Sequence, residues 1–131
     1  MKHLEGWVSK WQDEAMFSGA PGAGAEEGWY LTSLDFEMKR LGGMQMTAGS
    51  IDVFKCFDQI VRHLIVELAR RAGMPRRVLD TYETFVENLS VRMQIGTTLG
   101  EERIHACSIP EGCPFSMALV ALLMKPWVTL M

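Results

Sequence analysis

Ser50-Ile51-Asp52-Val53-Phe54-Lys55-Cys56-Phe57-Asp58-Gln59-Ile60 is the stretch whose reading decides the fold. Ile51, Val53, Phe54 and Phe57 favour extended backbone, so the residues predict a strand from Ile51 to Cys56. A helix follows directly, from Gln59 to about Ala72. Its apolar residues recur as Ile60/Val61, Leu64/Ile65 and Leu68/Ala69, and Asp58 stands where a cap belongs. Asp52 would then be a carboxylate inside an apolar strand. Such a group needs a partner, either backbone amides or a divalent cation.

Working outward, Gly73 ends that helix and Pro75 opens the next, which runs to about Leu89. Val91, Met93 and Ile95 alternate with polar residues, the pattern of a half-buried strand. Gly96 to Glu102 read as a turn, and Arg103 to Ile109 as the returning strand of a hairpin. The loop Ile109-Pro110-Glu111-Gly112-Cys113-Pro114-Phe115-Ser116 leads into a final apolar helix, about Phe115 to Met124. Upstream, Leu4, Trp7, Val8, Trp11 and Ala15 suggest an amphipathic helix over residues 3–17. A glycine-rich loop follows, and then a helix from about Ala25 to Leu41, stopped by Gly42-Gly43. That loop lacks the Lys-Ser/Thr ending of a phosphate-binding loop.

The 131 residues suffice for one domain with a real core. A net charge of -3 argues against a surface coated in cations for nucleic acid. The charge is uneven, however. Residues 62–77 carry Arg62, Arg70, Arg71, Arg76 and Arg77 against Glu67 alone. This run reads either as a phosphate-facing patch or as arginines complementing a helix C-terminus. Cys56, Cys107 and Cys113 are odd in number and not tightly spaced, which points to a reducing compartment. No secretory signal is evident, so an intracellular location, cytoplasm or nucleus, is expected. The apolar run from Cys113 is interrupted by Pro114, Lys125 and Pro126, so a membrane span is not expected. His105, Cys107 and Cys113 match no strong zinc spacing.

Two of these stretches together resemble a known family. Asp52 through Asp58 is similar to the first palm motif of reverse transcriptases of the non-LTR retroelement type. Pro110-Glu111-Gly112 followed by Pro114-Phe115-Ser116 is similar to their second palm motif, where Pro-Gln-Gly is usual. The order helix, Ala72-Gly73-Met74-Pro75, helix, strand, strand between them also resembles the family. The resemblance covers roughly residues 15–131 and is specific from 50 to 126.

The resemblance implies an α+β fold: an incomplete reverse-transcriptase palm and fingers, with helices packed on a small antiparallel sheet. Residues 1–49 would be a fingers-like helical region and residues 50–131 half of the palm. It further implies two Mg²⁺ ions, with Asp52 and the backbone carbonyl of Val53 as ligands. Phe57 would lie under the sugar of the incoming nucleotide, with Glu111 and Gly112 beside it and the template. RNA template, DNA primer and deoxynucleotide are the implied partners, with Arg70, Arg71, Arg76 and Arg77 as candidates for phosphate contact.

The departures set an expectation of their own. The family supplies further carboxylates from an aromatic-x-Asp-Asp hairpin, and the sequence stops at Met131 before one. Glu111 puts an anion where the family has an amide. The expectation is a polymerase fragment that is inactive alone. The alternative is a non-catalytic remnant acting as a protein- or RNA-interaction module, self-associating or binding a partner through an uncovered C-terminal apolar helix.

Overall fold

The computed structural model describes residues 4–19 and 22–130. Its centre is α4, Arg62–Arg71, whose buried residues Arg62, Ile65, Val66 and Ala69 form one stripe at helical spacing. α5, Arg76–Glu87, turns Leu79, Tyr82 and Val86 onto it. α6, Pro114–Leu130, closes the other side with Ser116, Ala118, Leu119, Ala121 and Leu122. These three helices share one apolar cluster with Ile60, Met74 and Ile109. Each large aliphatic side chain buried there contributes about 2 kcal/mol of transfer free energy.

The N-terminal segment seals this cluster rather than standing apart from it. Residue 3, where the predicted helix begins, lies outside the described residues. The helix that forms, α1, is a single turn, Glu5–Val8. The chain then continues through turns, and Leu4, Trp7, Val8, Trp11 and Met16 are all buried. The Trp7 indole Nε1 donates to the carbonyl of Ala72 across 2.9 Å, which satisfies a part-buried acceptor at the end of α4. Lys125 on α6 reaches Asp13 at 3.6 Å.

Gly19 fixes the next turn. It has φ +72°, and a Cβ there would meet the carbonyl oxygen of Met117 at 2.5 Å and Ala121 Cβ at 2.9 Å. Only glycine offers both that backbone conformation and that clearance.

α2 spans Ala25–Leu41 as the periodicity predicts, with Glu26 and Glu27 in its first turn and Lys39 and Arg40 in its last. It buries none of its residues. Its tight contact is at Gly28, where a Cβ would fall 2.7 Å from Cγ of Phe17.

The predicted strand Ile51–Cys56 is not formed. Residues 44–53 are irregular and exposed, and Ile51 and Phe54 are each more than 70% exposed, at 72% and 73%. The β-formers favour an extended chain, but a ladder needs a neighbouring strand. The two strands among the described residues pair with each other. Lys55 then adopts a left-handed conformation, φ 47° and ψ 47°, and α3, Cys56–Gln59, follows as one turn. Asp58 therefore sits within α3 and caps no longer helix. The N-cap of α4 is Val61, without a side-chain bond.

The predicted hairpin is present with a shifted return strand. β1, Ser90–Ile95, pairs antiparallel with β2, Thr98–Ile104. Ile95 faces Thr98 across a two-residue turn, Gly96-Thr97. Gly96 takes φ +60°, the conformation such a turn requires in its first position. One extra residue of β2 opposite Met93 makes a bulge between the Arg92 and Gln94 pairs.

The first strand was expected to be half-buried, but both strands are exposed almost throughout. The expected layering of helices on a sheet is likewise corrected. The class is mixed α and β, but the core is helix on helix and the hairpin stands off it. α6 also runs past its expected end at Met124, continuing through Pro126 to Leu130. Among the described residues, no helix is long and apolar enough to cross a membrane.

Candidate functional site

The two landmarks of the sequence meet in the fold. After β2 the chain returns along α3, and Val61 bridges antiparallel to Cys107. The amide of Arg62 donates to Ala106 O at 3.1 Å, that of Ser108 to Ile60 O at 3.0 Å, and that of Ile109 to Phe57 O at 3.0 Å. Segment 57–62 and segment 106–109 thus lie side by side. This places Pro110-Glu111-Gly112 directly beyond Phe57. The Cys113 amide donates to Pro110 O at 3.1 Å, closing the loop into a turn before α6.

Arg62 locks this junction. Its Nε donates to Ser108 O at 2.8 Å, and its Nη1 donates to Val86 O at 2.7 Å and to Leu89 O at 3.3 Å. The side chain is 6% exposed and, among the described residues, forms no ion pair. A buried guanidinium is costly, and here the acceptors are carbonyls, one in the last turn of α5 and one just beyond its end. Ser108 has φ 81°, rare for a residue with a side chain, and its bonds to Ile60 and Arg62 hold it there. Its hydroxyl also approaches Asp58 Oδ1, at 3.4 Å. Sequence reasoning missed Arg62 as a structural centre because it was counted with the surface arginines. Its place on the apolar stripe of α4 was the available signal.

Asp52 is exposed on the irregular segment before α3. It is not held inside an apolar strand, so burial gives it no need of a cation. Val53 borders a small apolar cavity of about 200 Å³ with Cys56, Ile60, Leu64 and Leu123. Phe57 is half-buried and packs against the helical core. Glu111 is exposed. Gly112 is exposed too, and a Cβ there would meet nothing within 4 Å. The fold brings Phe57 to the base of the Pro110–Gly112 loop.

No three His, Cys, Asp or Glu side chains form a metal-holding group among the described residues. The donor set at Asp52 does not fit a two-ion Mg²⁺ centre, which needs further carboxylates.

The candidate phosphate-binding arginines are largely engaged with neighbours. Arg70 binds Glu67 at 2.7 Å and Glu83 at 2.9 Å, tying α4 to α5. Arg71 binds the other oxygen of Glu67 at 2.9 Å, and Arg76 lies 3.6 Å from Asp80. The guanidinium groups of Arg71 and Arg70 together hold the Glu67 carboxyl below its ordinary range. Of the four, Arg77 alone makes no ion pair among the described residues.

Comparison with known families, curated proteins and solved structures returns no match for this chain.

Proposed function

We propose that this chain is a fingers-and-palm segment of an RNA-directed DNA polymerase, of the non-LTR retroelement kind, that does not polymerise by itself. The observation that carries the reading is the bonding of Phe57 to Ile109, which joins two motif-bearing stretches that lie far apart in the chain. A nucleotide site of this class needs those stretches adjacent, one for metal and sugar, the other for the nascent base pair. In this reading Asp52 and the Val53 carbonyl hold Mg²⁺ only once further carboxylates are brought to them from outside this segment. Phe57 lies beneath the nucleotide sugar, Glu111 and Gly112 face the template pair, and Arg77 is the arginine free to meet phosphate. RNA template, DNA primer and deoxynucleotide are the partners, in an intracellular setting.

The test is primer extension on an RNA template with Mg²⁺, using the 131-residue chain. The reading expects no incorporation above a protein-free blank. Incorporation that disappears in Asp52→Asn would show that the segment is competent alone.

A second reading, a non-catalytic interaction module, is favoured by α2. Trp29, at 75% exposed, and Leu41, at 84%, lead a helix with no buried residue. The surface left for a partner is therefore α2 rather than α6, whose first two turns and more are core. The end of α6, with Trp127 and Leu130, is the part that stays exposed. Light scattering distinguishes the two readings. A mass rising with concentration supports association, and a constant monomer mass removes self-association as the role.

A further inference from the structure

A cavity of about 550 Å³ opens between α5 and the loop that leads into α6. This size suits a small organic ligand, for which sites of roughly 300–1,000 Å³ are usual. Its floor is aromatic: the Tyr82 ring lies 5.8 Å from that of Phe115 and 6.2 Å from that of Phe85, both pairs tilted. Val78 and Cys113 complete an almost wholly apolar wall. Arg77 and Thr81 also line it. Among the described residues the charge in the lining is therefore positive, with no carboxylate beside it.

That charge is also uncommitted. Arg77 has no ion-pair partner among the described residues, whereas its neighbour Arg76 has Asp80. Burial raises the Tyr82 phenol above its ordinary range, opposed by the nearby Ser116 hydroxyl, which agrees with a dry floor.

We infer that this cavity binds a small amphipathic carboxylate, its aryl or alkyl body on Tyr82, Phe85 and Phe115 and its carboxylate on Arg77. The site shares Arg77 with the polymerase reading, which gives that arginine to phosphate, and is otherwise separate from it. It uses no residue of the Asp52–Phe57 stretch and lies on the α5 side of the loop. An apolar body alone would gain from the walls, and the guanidinium is what selects an acid over an alcohol.

The experiment is calorimetric titration of the full chain with 6-phenylhexanoate and with 6-phenylhexanol. The acid is expected to bind saturably and about fivefold more tightly than the alcohol, the contribution of a solvent-facing ion pair. In Arg77→Gln, a surface change that leaves the fold intact, the two ligands should bind equally. In Arg76→Gln the preference should persist. A site-specific readout accompanies this: the acid should slow N-ethylmaleimide labelling of Cys113 while leaving Cys56 and Cys107 unchanged. Absence of saturable binding, equal binding of acid and alcohol to the unaltered chain, an undiminished preference in Arg77→Gln, or protection at a cysteine other than Cys113 overturns the inference.

Discussion

The guanidinium of Arg62 donates to the carbonyl of Val86 across 2.7 Å inside the core, with no carboxylate paired to it among the described residues. The same side chain holds Leu89 and Ser108, so one residue joins α4, the end of α5 and the strap that returns from the hairpin. The motif-bearing stretches meet at that strap, so Arg62 also fixes the candidate site.

Arg62→Met should therefore destabilise the protein strongly. Methionine fills much of the volume but leaves three carbonyls without their donor, a loss of about 3 kcal/mol. Arg62→Lys should recover only part of this, because an ammonium cannot reproduce the fork. Urea unfolding midpoints of the two variants check both statements.

Gly19→Ala should cost about 2 kcal/mol or more. The new methyl group meets the Met117 carbonyl and Ala121 while the backbone is held at positive φ. Gly22→Ala is the control: it shares a positive φ, 78°, but has open space around it, so its loss should be smaller. Thermal melts of the pair separate backbone strain from collision.

Acid should loosen the tie between α4 and α5. The Glu67 carboxyl is held below its ordinary value of 4.5 by Arg71 and Arg70. A depressed carboxyl contributes stability that is present above the unfolded value and is lost as pH falls through the folded one. The contribution is thus intact at neutral pH and disappears below about pH 4.5. Glu67→Gln should remove that part of the acid dependence and leave little change in acid. The pH profile of the melting temperature for both proteins is the measurement.

Asp52→Ala should leave stability within about 0.5 kcal/mol, because the side chain is exposed on an irregular segment. Any loss of polymerase activity that this change causes in a completed enzyme would then be chemical rather than structural. Parallel melts and activity assays check the point.

Three of the helices were legible because helices declare themselves locally, whereas the one expected over residues 3–17 shrinks to the single turn of α1 and α6 outruns its expected end. α2 has the bounds its end charges and glycines predict, and α4 and α5 lie within two or three residues of the expected limits. The strand at Ile51–Cys56 was not, because Ile51 and Val53 report only a preference for extended backbone, and among the described residues no partner strand realises it. Met93 and Ile95 misled in a similar way. Alternation says which residues share a face, not whether anything covers it. At the candidate site, the motif order was readable, and so was the turn before α6. The meeting of Phe57 with Ile109 and the central place of Arg62 were not, since both arise from contacts between residues far apart in sequence. The pairing of Arg70 with Glu83 was hidden for the same reason.

The most direct test of the central claim is to read the transcript beyond the codon for Met131 and assay the product. The polymerase account predicts that the frame continues into a hairpin bearing an aromatic-x-Asp-Asp sequence. The extended protein should then copy an RNA template with Mg²⁺ and lose that activity on Asp52→Asn. A stop codon immediately after Met131, or an extended protein whose activity is indifferent to Asp52, would contradict it.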